Sequence, residues 1–113
     1  MAKYERRLRC SLGVALQFCE EAIMDGSISA SLEDGSDYST GNVRVAVRVY
    51  ERYSAWGSNR VSLSLTLVDD GNYVFLSAIT AGGSQAMFFK VNTLGEESFL
   101  DTLSNAVERR FDG

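Results

Sequence analysis

The chain has 113 residues, 45% of them apolar, and a formal charge of −4. That is the length of one domain with enough apolar side chain for a core. The acidic balance argues against nucleic acid as a partner, because phosphates call for a basic surface, and the absence of histidine removes the commonest metal ligand and the usual general base, and with them Ser-His-Asp and Cys-His catalysis.

The opening, Met1-Ala2-Lys3-Tyr4-Glu5-Arg6-Arg7, has no apolar stretch behind its charges and does not read as a signal peptide. Nor does the sequence contain an apolar run of about 18 residues, so no membrane span is expected. Two cysteines, Cys10 and Cys19, make no disulfide framework, and a cytoplasmic location with both thiols reduced is expected.

Along "KYERRLRC" (3–10), Tyr4, Arg6, Leu8 and Cys10 alternate onto one side, the pattern of a short strand. Ser11 can then cap a helix over 11–25, where Leu12, Ala15, Leu16, Cys19 and Ile23 form an apolar stripe. Gly26 is expected to end it in the left-handed conformation. Ile28, Ala30 and Leu32 alternate with serines as a second strand, and "EDGSDYSTGN" reads as a polar loop, with or without a hairpin turn of its own. Val43, Val45, Val47 and Val49 alternate with Arg44, Ala46, Arg48 and Tyr50, and Val61, Leu63, Leu65 and Leu67 alternate with Ser62, Ser64 and Thr66. Each set reads as a strand with one face in the core. "DDGN" (69–72) carries the Asp-Gly hairpin signal, followed by a strand "YVFLSAIT" and another, "QAMFFKV".

Gly82-Gly83 then falls between two strands, where a Gly pair supplies the positive φ values of a tight turn. A phosphate cradle leads from a strand into a helix. Ser84 and Gln85 are therefore only secondary candidates for an anion site. Thr93 and Glu96 fit a capping box for a final helix over 95–111, with Phe99, Leu100, Leu103, Ala106, Val107 and Phe111 as its stripe and Arg109 and Arg110 at its negative end. The expected fold is α+β: an antiparallel meander of four to six strands, order β-α-β-β-β-β-β-α, with an N-terminal and a C-terminal helix on one face.

Pairing Arg52 with Ser62 places Arg44, Arg48, Arg52, Ser62, Ser64 and Thr66 on the face away from the valines. A two-residue Asp-Gly loop pairs Val68 with Tyr73 and adds Tyr73, Phe75, Ser77 and Ile79, and a Gly-Gly loop adds Ala86, Phe88 and Lys90. A one-residue change in turn length would flip the later strands. In this register an apolar surface needs a cover. Arg44, Arg48, Tyr50, Arg52, Phe75 and Phe88 are its candidate contact residues. A solvated arginine stripe that discourages edge pairing is the plainer reading of the three arginines.

Cys10 and Cys19 read as small hydrophobes. Glu51 falls on the valine side, as a buried acid with a partner such as Arg60 or as an ion pair at the strand end, the plainer of the two. "EDGSD" lacks the closing glutamate of a calcium loop, and no metal or other cofactor is expected.

Four stretches, "SISASLEDGSD" (27–37), "VAVRVYERYS" (45–54), "GSNRVSLSLTLV" (57–68) and "SAITAGGSQAMFFKVNTLGEESFLDTL" (77–103), resemble DUF6054. The resemblance implies a cytoplasmic bacterial protein of this size with no assigned activity, and it carries no catalytic residues over. The element order is also similar to the helix-grip fold, an analogy at the level of fold alone.

The function expected is a non-enzymatic binding or interaction module, a homodimer joined through the second sheet face. The alternative is a pocket protein for a small amphipathic or anionic ligand with weak enzymatic activity, using Arg48, Arg52, Arg60, Glu51 or Ser84. Neither nucleic acid nor membrane is expected as a partner.

Overall fold

A computed structural model describes residues 1–53, 60–82 and 89–111, with the side chains of 89–95 left aside. Its elements are β1 (Ala2–Leu8), α1 (Leu12–Asp25), β2 (Ser31–Thr40), β3 (Val43–Tyr53), β4 (Arg60–Asp69), β5 (Val74–Gly82) and α2 (Phe89–Phe111). The five strands make one antiparallel sheet in the order β1-β5-β4-β3-β2. The α+β class, the meander and the two terminal helices are as expected. Of the expected strand 85–91, residues 85–88 lie outside the described residues, as do 83 and 84, and 89–91 open α2 rather than belonging to a strand.

Helix α1 forms where the stripe predicts. Ser11 has an extended backbone and its Oγ accepts from Val14 N, satisfying an amide that the first turn leaves unpaired. Leu12, Ala15, Cys19 and Ile23 are buried. Gly26 closes the helix for a different reason from the expected one. Its φ is −81°, so no left-handed turn requires glycine there. A Cβ would instead collide with the Thr102 side chain and lie 2.8 Å from Ala22 O, so glycine lets the end of α1 approach α2. Helix α2 begins six residues before the expected start, so Thr93 lies inside the helix and not at its N-terminus. Phe99, Leu100, Leu103 and Val107 are buried along its stripe, as expected.

Both helices lie on one face. Beneath them sit Leu8, Val61, Leu63, Leu65, Leu67, Val74, Leu76 and Ala78, all at most 1% exposed. Full burial of each Leu or Val contributes roughly 1.5–3 kcal/mol. Helix contacts fall on β5, β1 and β4. Strand β2 has none of this cover. From Leu32 to Thr40 every residue is exposed. It was expected to be a loop because neither face is apolar, yet it pairs with β3 along its length, with a bulge between Leu32 and Asp34. The hairpin turns at Gly41, φ +55°, followed by Asn42 at negative φ, the order a type II′ turn requires. Ile28, expected inside a strand, is fully exposed in the turn before β2.

Register decides the faces. Arg52 pairs with Val61 and not with Ser62, and Tyr50 pairs with Leu63. That is one residue from the expected register, so every side chain of β3 changes side relative to β4. Ala46 and Tyr50 lie beneath the helices, together with the stems of Arg44, Arg48 and Arg52, while Val43, Val45, Val47 and Val49 face away. The expected valine core is therefore corrected to a core of β4 leucines, β5 side chains, Ala46 and Tyr50. At the margin of the helix layer, arginines can cover apolar surface with their stems while their heads reach polar partners. The Asp-Gly hairpin keeps its expected parity: Val68 pairs with Phe75 and Asp69 with Val74, closing a four-residue turn. The Asp70 carboxylate accepts from the amides of Tyr73 (3.0 Å) and Asn72 (2.9 Å). Those amides, Tyr73 first, hold its pKa below the usual carboxylate value.

Candidate functional site: the open face of the sheet

Directly paired residues share a face, so the register lays out the uncovered side in rows. One row runs Lys3, Ile79, Ser64, Val49, Asp34; the next Glu5, Ser77, Thr66, Val47, Ser36; the third Arg7, Phe75, Val68, Val45, Tyr38. The centre holds valines, small hydroxyls, Phe75 and Ile79. In these rows charge is confined to the margins, Lys3, Glu5 and Arg7 on β1 and Asp34 on β2. Phe75 is 38% exposed, Ile79 39% and Tyr38 65%. No helix reaches this side among the described residues, because both lie opposite.

Sequence reasoning assigned Phe75 to this face, and it lies here. It also assigned Arg44, Arg48, Arg52 and Tyr50, which the structure places on the other side. Arg48 and Arg52 have local partners there. The Arg48 guanidinium donates to Asp37 (3.0 and 3.4 Å), to Val47 O (2.9 Å) and to Ser36 O (3.4 Å), clamping β2 to β3. Gly35 makes that crossing possible, since a Cβ would sit 2.8 Å from Arg48 Cδ. Arg52 lies 4.5 Å above the Phe99 ring and donates to Ser98 Oγ at 3.0 Å. Burial lowers its pKa. Arg44 is exposed at the end of β3, beside Leu12 and Ser39.

Tyr50 is fully buried and its hydroxyl makes no hydrogen bond of ordinary geometry among the described residues. Burial first, and then the nearby Glu20 carboxylate, raises its pKa. Phe88, Ser84 and Gln85 lie outside the described residues, and so does the Gly83 turn. The reading of Gly82-Gly83 as a strand-to-strand turn therefore falls on residues outside the described ones, and the next described element after Gly82 is α2.

Glu51 forms an ion pair with Arg60, whose guanidinium also lies 3.6 Å from Glu33. The Glu51 side chain is 28% exposed, so it is a margin acid rather than a buried one. Arg60 also reaches the Tyr53 ring, at 5.9 Å. At the opposite corner, Arg7 and Arg9 both lie over the Tyr73 ring, at 5.2 and 5.5 Å. Cys19 is buried, and burial pushes its thiol up to about 12. Cys10 is half-buried; burial raises its pKa and the Arg110 charge opposes that rise.

These residues do not assemble a nucleophile with a base, and no group of three or more metal-binding side chains occurs among the described residues. A groove of about 640 Å³ lies outside the core between α1 and α2, with Asp25, Glu97, Asp101 and Arg109 on its walls. None of the expected pocket residues lines it.

The family described as "Family of unknown function (DUF6054)" matches residues 1–110. The chain belongs to DUF6054. No curated protein matches it. Membership in DUF6054 therefore agrees with the resemblance seen in the four sequence stretches and brings no assigned activity with it. Among the described residues of this DUF6054 chain, no helix is long and apolar enough to cross a membrane.

Proposed function

We propose that this chain is a non-enzymatic interaction module that self-associates, two copies packing open face to open face. The observation that carries the reading is the exposure of Phe75 and Ile79 amid Val45, Val47, Val49 and Val68, on a face whose charges are confined to its margins. A contiguous apolar surface of this kind on a folded chain marks an interaction site. A face with an uncharged centre also tolerates its own image, as a twofold contact requires. Five strands at about 4.8 Å spacing and eight residues at about 3.3 Å rise give a face of roughly 600 Å². Two such faces bury roughly 1,200 Å², the lower end of specific interfaces. The free thiols of Cys10 and Cys19 suit the reducing bacterial cytoplasm.

A small-ligand reading would need convergent polar groups around an apolar cavity. Here the space between sheet and helices is filled by leucines and Phe99.

Light scattering across a concentration series tests the proposal. The wild type is expected at the mass of a dimer and Phe75→Glu at that of a monomer, with unchanged far-UV circular dichroism. A wild type that stays monomeric at the highest concentrations that remain clear would refute self-association.

A further inference from the structure

The open face carries information about the orientation of its partner as well as its identity. Stacked sheets in aligned packing keep their strands within about 30° of one another. A twofold axis relating two such sheets lies in the plane between them, either along the strands or across them. The two choices bring different margins together. With the axis across the strands, β1 lies on the partner's β1 and β2 on the partner's β2, so Lys3 approaches the partner's Arg7 and Glu5 approaches the partner's Glu5. With the axis along β4, the middle strand, each row meets itself reversed. Lys3 then faces the partner's Asp34, Arg7 the partner's Tyr38, and Phe75 and Ile79 of β5 lie on the partner's Val45 and Val49.

Resting on the self-association reading above, we propose that the dimer axis runs along β4, so that Lys3 and Arg7 on the β1 margin of each copy meet Asp34 and Tyr38 on the β2 margin of the other. Three features favour this axis. Like charges are kept apart and opposite charges are paired. The exposed Tyr38 ring meets an arginine face-on. The large side chains of β5 meet the smaller valines of β3 rather than each other, which lets the two layers interdigitate. Asp34 is free for this role: its Oδ1 accepts only from its own neighbour, Gly35 N, among the described residues.

Cysteine cross-linking in a Cys10→Ala background separates this inference from the reading beneath it. Thr66 lies near the centre of the face and meets itself about either axis, so Thr66→Cys reports face-to-face association alone. Ser77 of β5 and Val47 of β3 share its row. The expected result is efficient cross-linking of Thr66→Cys, and cross-linking of Ser77→Cys only when mixed with Val47→Cys. If Thr66→Cys cross-links while Ser77→Cys and Val47→Cys each link to themselves, the axis lies across the strands and this inference falls while self-association stands. If Thr66→Cys does not cross-link, both fall. A charge exchange provides an independent readout. Lys3→Glu is expected to raise the dimer Kd about three- to tenfold, through two margin pairs, and Lys3→Glu with Asp34→Lys is expected to restore it. A double variant as weak as the single one overturns the pairing.

Discussion

Strands β3 and β4 are neighbours, both alternate with period two, and they use that alternation in opposite senses. In β4 the aliphatic set, Val61, Leu63, Leu65 and Leu67, lies beneath the helices and the serines face away. In β3 the aliphatic set faces away, and the arginines with Ala46 and Tyr50 take the helix side. A strand's apolar face is therefore not by itself its core face. What covers each position decides the matter. The helices lie over β1, β5 and β4, and β3 sits at their margin, where one tyrosine and long polar side chains fill the space better than valines would.

The largest test of this contrast is a pair of truncations, made in the Phe75→Glu background so that association contributes nothing. Leu65→Ala on β4 opens a cavity in the core and is expected to cost about 3 kcal/mol of unfolding free energy. Val47→Ala on β3 is expected to cost less than about 1 kcal/mol, as for a partly exposed site. Urea denaturation measures both. Equal costs would mean that the valine side is also core.

Next comes the thiol beneath the helix layer. Cys19 has its pKa raised by burial to about 12, against an ordinary value of 9.0. Between those values the unfolded chain releases a proton that the folded one keeps. Stability is thus fully present below about pH 9 and declines as pH rises toward 12, by up to about 1.4 kcal/mol per pH unit from this group. Cys19→Ala should flatten that decline in urea titrations across pH 8 to 11. A slope unchanged by the substitution would show that the thiol is hydrated.

The smallest expected effect lies at the uncovered edge. Gly35→Ala forces the Arg48 guanidinium off β2, with the loss of its bonds to Asp37 and Ser36, at a cost of about 1 kcal/mol. Amide exchange in β2 should accelerate while exchange in β4 stays unchanged. Uniform acceleration would show that β2 is as integral to the fold as the covered strands.

Elements that bury one face were legible. The stripes of α1 and α2 and the Leu-Ser alternation of β4 became what their patterns predict, because burial imposes the period, and the Asp-Gly hairpin formed in its place with a four-residue turn instead of the expected two-residue one. Strand β2 was not legible, since a strand exposed on both faces has no alternation to read and is held by backbone pairing and the Arg48 clamp. The early start of α2 had no visible cap. The candidate site was half legible. Phe75 and Ile79 were assigned to the open face, but the arginines were assigned to it by a register that was wrong by one residue.

By itself the sequence determined that an antiparallel meander would form and that two helices would cover one side of it, because apolar periodicity and turn chemistry are local. It also determined which chemistries lack their residues, through the absence of histidine. Only the tertiary structure decided which side of β3 faces the helices and that the valines stay open, since pairing register couples residues far apart in the chain and a shift of one position exchanges the two faces.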